Sequence, residues 1–70
     1  MAMRKIGSRV RIIGGEFFGG QSGTIIDTER YGRYEPPYYR IRLDVPVDVP
    51  GVGRVTDDLW QGRYLATLRR

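Results

Sequence analysis

The sequence contains no cysteine and no histidine. Without cysteine there is no disulfide to reinforce the fold, no thiolate metal ligand and no thiol nucleophile. Without histidine the commonest metal ligand and the commonest general base are missing as well. A catalytic role would have to rest on carboxylates, tyrosines or lysine, so the chain is expected to be non-enzymatic, with no cofactor and no metal. Lysine is itself almost absent, since eleven of the twelve basic residues are arginine. No apolar run approaches the ~20 residues of a membrane-spanning helix. The start, MAMRKIGSRV, has a basic pair but no apolar stretch of the kind a secretory signal needs. No membrane association is expected, and the expected compartment is the cytoplasm. No window of ten or more residues keeps helical spacing, so no long helix is expected.

What is present is a small domain. The 70 residues make a single unit that buries only about 60% of its unfolded surface, which leaves a thin core. Twelve basic and eight acidic residues give a net charge of +4. A surplus of arginine follows from GC-rich coding, and it also suits bidentate contacts to phosphate or carboxylate.

The dominant period is two. Ser8 to Ile13 sets Val10 and Ile12 against Arg9 and Arg11, and Tyr38 to Asp44 sets Tyr39, Ile41 and Leu43 against Arg40 and Arg42. That alternation is the pattern of half-buried antiparallel strands. Gly23 to Thr28 is rich in β-branched residues and predicts a third strand. Val45 to Gly53, VPVDVPGVG, holds two prolines and two glycines, which excludes it from a central strand and predicts a loop. A fourth strand is expected at Arg54 to Leu59, a single turn near Gln61 to Tyr64, and a last strand at Ala66 to Arg69. Five short strands predict an all-β fold, a small five-stranded barrel whose closure removes exposed edges. The expected core is Val10, Ile12, Ile25, Tyr39, Ile41, Leu43, Val55 and Leu65, with Leu68 beside it. The alternation offers no second apolar strand face, so a monomer is expected.

One segment carries a resemblance. Gly7-Ser8-Arg9-Val10-Arg11-Ile12, followed by Gly15, Phe18, Gly20 and Gly23-Thr24-Ile25, resembles the KOW motif, a strand–loop–strand element of ribosomal proteins and of the NusG transcription factors. It covers Gly7 to Thr28, under a third of the chain. The resemblance implies an SH3-like barrel, a loop aromatic folded back as a lid (Phe18 here), and binding of RNA or protein. The PsaE subunit of photosystem I is similar through Gly7 to Ile12, but its asparagine-phenylalanine segment has no counterpart at Asp57 to Trp60. The SH3-like dihydrofolate reductases carry a V-Q-I-Y-type segment that is also missing here.

Five groups of residues are candidates for a site. Arg9, Arg11, Arg40 and Arg42 point outward if their strands bury the alternate set. They then serve either as a phosphate-binding surface or as a solvated strand face. Tyr31 and Tyr34, with Arg33 between them and Tyr38 close by, could stack on unpaired bases or pack over a barrel end. Phe17 could be exposed while Phe18 is buried. Trp60 could anchor a partner or fill the core. The acids Asp44, Asp48, Asp57 and Asp58 match no metal-loop spacing, and Asp57-Asp58 reads as the start of a turn. Two functions compete. The first is a nucleic-acid-binding module, for RNA or DNA, using Arg9, Arg11, Arg33, Arg40, Arg42, Tyr31 and Tyr34. The second is a protein-interaction adaptor or accessory subunit using Phe17, Trp60 and the tyrosine loop.

Overall fold

A computed structural model describes residues 4–68. Five strands form one antiparallel sheet: β1 (Arg9–Ile12), β2 (Ser22–Glu29), β3 (Tyr38–Val49), β4 (Gly53–Gln61) and β5 (Leu65–Thr67). Their spatial order is β4-β3-β2-β1-β5. The two outermost strands are joined by one 3-10 turn, Gly62–Tyr64. The result is the expected small all-β fold of five strands, and no α-helix occurs among the described residues.

The alternation read from β1 and β3 decides the core. Val10, Ile12, Ile25, Tyr39, Ile41, Leu43 and Leu65 are buried, and Phe18, Val47, Val55 and Trp60 pack against them half-exposed. Val55 is therefore less buried than expected, because it lies on the edge strand β4 beyond the part of β3 that β2 covers. Leu68 is half-buried and donates its N–H to the Arg9 carbonyl at 3.0 Å, beside β1 as expected. The predicted last strand extended to Arg69, which lies outside the described residues; its observed end is Thr67.

Two irregularities set the faces. Between β2 and β3 the register passes from Ile25↔Ile41 to Asp27↔Arg40, so Ile26 is an extra residue. Strict alternation would place Ile25, Asp27 and Glu29 on one face. The bulge reverses the parity and turns Asp27 and Glu29 outward, opposite Arg40 and Tyr38. The second irregularity lies in β3 between Arg42 and Val47. It corrects the expected loop at Val45 to Gly53. The chain stays extended to Val49, turns through Pro50-Gly51, and returns as β4, with Val47 opposite Val55 and Asp48 opposite Arg54. Pro46 is tolerated because β2 stops pairing at Leu43 and the β4 ladder is interrupted there, so its missing N–H costs no bond. The turn closes with the Val52 N–H donating to the Val49 carbonyl at 3.0 Å, and Gly51 holds φ +79°. Proline then glycine at its centre is the type II signature.

Asp57-Asp58 does not begin a turn; both residues lie inside β4. Asp58 faces buried Ile41 across the ladder yet stays exposed on this edge strand, where a charge discourages strand addition. Before β1, Arg4 pins the chain. Its guanidinium donates to the Leu65 carbonyl at 2.8 Å and to Thr67 Oγ1, and its N–H donates to the Tyr39 hydroxyl at 3.2 Å.

Candidate functional site

The four strand arginines do point outward, but they are not equivalent. Because β2 lies between β1 and β3, a row across the outer face reads Arg9, Thr24, Arg42, Asp57. Arginines of β1 and β3 are thus two strand spacings apart, about 10 Å. Arg9 donates from Nη1 to Asp44 Oδ1 at 2.7 Å and to Thr24 Oγ1 at 2.9 Å, and from Nη2 to Asp44 Oδ2 at 2.5 Å. Arg40 lies between two carboxylates. It donates from Nη1 to Asp57 at 2.9 Å, and from Nε and Nη2 to Glu29 at 3.2 and 3.1 Å.

These pairs, of which only Arg9–Asp44 is a two-pronged fork, raise the pKa of Arg9 and Arg40 and hold Asp44 and Asp57 below the usual aspartate value, chiefly through the hydrogen bonds themselves. Exposed as they are, these pairs add little to stability. Their larger consequence is electrostatic, because a guanidinium already facing a carboxylate has little net charge to offer a phosphate. Arg11 and Arg42 are different. Both are exposed and neither forms a salt bridge among the described residues, although Arg42 lies opposite Asp57 and helps lower its pKa. Arg11 is flanked by the small side chains of Ser22 and Ala66, which leaves it open to a ligand.

The loop between β2 and β3 carries the tyrosines. Tyr34 is 91% exposed and Tyr31 is 61% exposed, with exposed Arg33 between them. Tyr31 is nevertheless fixed. Its ring stands edge-on to Tyr38 at 5.4 Å between centroids, and its hydroxyl donates to Glu29 Oε1 at 2.5 Å. That bond lowers the Glu29 pKa and raises the Tyr31 pKa, with Arg40 adding to the effect on Glu29. Glu29 thus holds both Tyr31 and Arg40. It was missing from the sequence-based set because its outward position depends on the Ile26 bulge, for which the Ile25-Ile26 doublet was the available signal.

The aromatics proposed for protein binding separate. Trp60 is half-buried and packs against the core, with Phe18 edge-on to it at 5.2 Å. Phe18, expected to be buried, is only half-buried, because its ring packs at the margin of the core against the partly exposed Trp60. Phe17 is exposed. Two residues overlooked by sequence reading are exposed with it, Ile13 and Tyr64. The Ile13 N–H donates to the Tyr64 carbonyl at 2.8 Å, and the Arg63 guanidinium lies 4.9 Å from the centre of the Tyr64 ring. Among the described residues no cluster of acids could hold a metal ion, and no helix is long and apolar enough to cross a membrane. Compared with known protein families, with curated proteins and with solved structures, the chain matches none.

Proposed function

We propose that this chain is a non-catalytic binding module that takes unpaired nucleic acid, RNA or DNA, on the loop between β2 and β3. Bases stack on Tyr31 and Tyr34, and phosphates meet Arg33 and, further along the sheet, Arg42 and Arg11. The observation that carries the reading is the combination at Tyr31: a ring that is 61% exposed yet held by Tyr38 and Glu29. A side chain ordered in advance loses little entropy when a base settles on it. Stacking of this kind contributes roughly 1–3 kcal/mol per base and does not depend on sequence. The KOW-like resemblance and the net charge of +4 point the same way.

Arg9 and Arg40 are assigned a different part from the one the sequence suggested. Held by Asp44, Glu29 and Asp57, they order the outer face and add little to phosphate affinity. Duplex binding, which depends on a continuous cationic track, is disfavoured, and binding through bases is favoured. A second reading, protein recognition, is supported by exposed Ile13 and Tyr64, joined by the Ile13 N–H to Tyr64 carbonyl bond with Arg63 over the Tyr64 ring, and by Phe17, which is exposed separately. Exposed aromatics flanked by arginine are the composition of interface anchors.

Amide chemical-shift mapping with short single-stranded oligomers, at low and moderate salt, separates the two. The nucleic-acid reading expects shifts at residues 29–34 and around Arg42. Tyr34→Ala should weaken binding by roughly 1–3 kcal/mol with little change in salt dependence. If no oligomer perturbs any amide at low salt, the nucleic-acid reading falls and the protein-recognition reading replaces it.

A further inference from the structure

The β1–β5 ladder ends in an exposed apolar pair. Ile12 and Leu65 face each other across the two strands with both side chains buried, and Arg11 faces Ala66. One step further along, the Ile13 N–H donates to the Tyr64 carbonyl at 2.8 Å. Alternation turns Ile13 outward, onto the face that carries Arg11, and Tyr64 stands beside it. On its other side β1 meets Gly20 and Gln21: the Gly20 N–H donates to the Ile12 carbonyl at 2.7 Å, and the Ile12 N–H to the Gln21 carbonyl at 2.8 Å. Gly20 has no side chain to lay over Ile13, which is 58% exposed, with Tyr64 40% exposed. The Tyr64 ring is nonetheless held. It lies against Gly14, where a β-carbon would stand 3.2 Å from its Cδ1 atom, and the Arg63 guanidinium is 4.9 Å from its centre. Residues 11–16, 20–22 and 61–66, which make up this corner, contain two arginines, Arg11 and Arg63, and one acid, Glu16. Neither arginine forms a salt bridge among the described residues.

We propose that Ile13, Tyr64 and Arg63 form a docking surface for an acidic segment of another protein. An apolar residue of that segment seats on Ile13 and the edge of the Tyr64 ring, and its carboxylates meet Arg63 and Arg11. Charge complementarity selects this occupant. A guanidinium already placed on a ring takes a carboxylate through two parallel hydrogen bonds. A basic segment would meet two arginines here and a chain of net charge +4. The apolar pair separates a peptide from a phosphate chain, because Ile13 offers a base no ring to stack on and the Tyr64 ring is already engaged by Gly14 and Arg63. The inference rests on the protein-recognition reading, and it does not require the nucleic-acid reading to fall. The eight residues of β2 separate the two places: Ser22 is beside Arg11 at one end, and Glu29 leads into the tyrosine loop at the other. At strand rise these ends are about 23 Å apart, so both places can be filled at once.

Amide chemical-shift mapping on the full chain with a synthetic peptide, Asp-Glu-Asp-Glu-Leu-Phe-Asp-Glu-Asp, at up to about 1 mM tests this. The expected result is saturable shifts at Ile13, Gly14 and residues 62–66. The same peptide with Ser-Ser in place of Leu-Phe, or with lysine in place of every acid, should bind at least about fivefold more weakly. Ile13→Asp and Arg63→Glu, both at exposed positions, should each weaken the acidic peptide by at least about the same factor. Tyr34→Ala, in the other loop, should leave it unchanged. Should Ile13→Asp lose its fold by circular dichroism, Arg63→Glu and the peptide series still decide. Absence of shifts at these residues would overturn the proposal. A lysine peptide that shifts them as strongly would overturn it too, while leaving protein recognition in place. A single-stranded oligomer that displaces the peptide from residues 62–66 would give the surface to phosphate, with the same consequence. Oligomers that leave residues 29–34 unperturbed bear only on the nucleic-acid reading.

Discussion

Replacing Gly23 by alanine, the smallest possible change, should be among the more damaging surface-to-core substitutions in this chain. Gly23 is buried in β2, paired with Val10 on one side and Leu43 on the other. A β-carbon there would stand 2.4 Å from the Arg42 carbonyl oxygen and 2.6 Å from Ile41 Cγ2, with the Arg42 carbonyl carbon at 3.1 Å. Non-bonded heavy atoms settle at about 3.5–4.0 Å, so something must move by about 1 Å. The nearest atom is backbone in the β2–β3 ladder, and the next belongs to a fully buried side chain, so neither can give way cheaply. Overpacking of this kind costs about 1–3 kcal/mol. Opposing it, alanine loses less entropy on folding than glycine, a gain of about 0.4–1 kcal/mol where the backbone suits both. Gly23 is not in the positive-φ region, so that gain applies and the overlap must exceed it.

The net loss should be about 1–2 kcal/mol, or roughly 4–16 °C in Tm for a domain of this size. Thermal and urea unfolding followed by circular dichroism measure it, with an unchanged urea m-value indicating an unaltered fold. Gly32→Ala is the internal control. Its β-carbon would meet only the flexible Glu35 side chain, at 3.3 Å and beyond, and Tm should move by no more than the roughly ±0.5 kcal/mol of an ordinary surface change. A Gly23→Ala protein as stable as the parent would refute the reasoning. It would also remove the physical basis for reading this glycine as part of a KOW-like element.

Ile41→Ala, at a fully buried position, should cost about 2–5 kcal/mol in the same unfolding experiments; a loss below about 1 kcal/mol would mean the core is not centred on β3. In titrations with a single-stranded oligomer, Arg11→Gln should reduce the slope of log affinity against log salt by about one, whereas Arg9→Gln should leave it nearly unchanged. Equal slopes for the two variants would show that the Asp44 pair does not neutralise Arg9. Stability should fall on acidification: Glu29, Asp44 and Asp57 have lowered pKa values in the fold. Their contribution is present above the ordinary carboxylate range and is lost as pH drops through the folded values. Tyr31, with a raised pKa, works the other way, stabilising below the ordinary phenol value and losing that contribution as pH rises past its folded one. A Tm that climbs between about pH 5 and pH 3 would contradict these assignments.

The parts of the fold legible in the sequence are those governed by period two and by turn chemistry. β1 and the first half of β3 alternate without interruption, and their buried set is the one the alternation names. The segment VPVDVPGVG was misread for a definite reason. Proline was weighed as if β3 had partners on both sides throughout, whereas β2 is too short to reach Pro46. Whether a proline is tolerated depends on the length of the neighbouring strand, which is a property of the sheet and not of the segment. The signal for a hairpin was nonetheless present in Pro50-Gly51, which suits a type II turn, flanked by alternating valines.

The site was legible by residue type and illegible by partnership. Arginine on alternate positions of two strands does show that the guanidinium groups face outward. It does not show what faces them, because each salt bridge joins strands whose register is fixed only by the assembled sheet. One inserted residue, Ile26, decides the matter at Arg40: without the bulge Glu29 would point inward and Tyr31 would lose the acceptor that holds it. Asp44 reaches Arg9 across β2 for a related reason, since Thr24 between them is small and itself accepts from the same guanidinium. Two of the four strand arginines are thereby engaged by carboxylates, and the two outside those salt bridges, Arg11 and Arg42, lie on different strands with Thr24 and Ser22 on the strand between, Arg42 itself opposite Asp57. A phosphate chain tracking the sheet would meet positive charge only at intervals, while the rings of the β2–β3 loop stand clear of the surface. Affinity built on this surface has to come first from stacking and only second from charge, which is why the tyrosine substitution and the arginine substitution are expected to leave different marks on salt dependence.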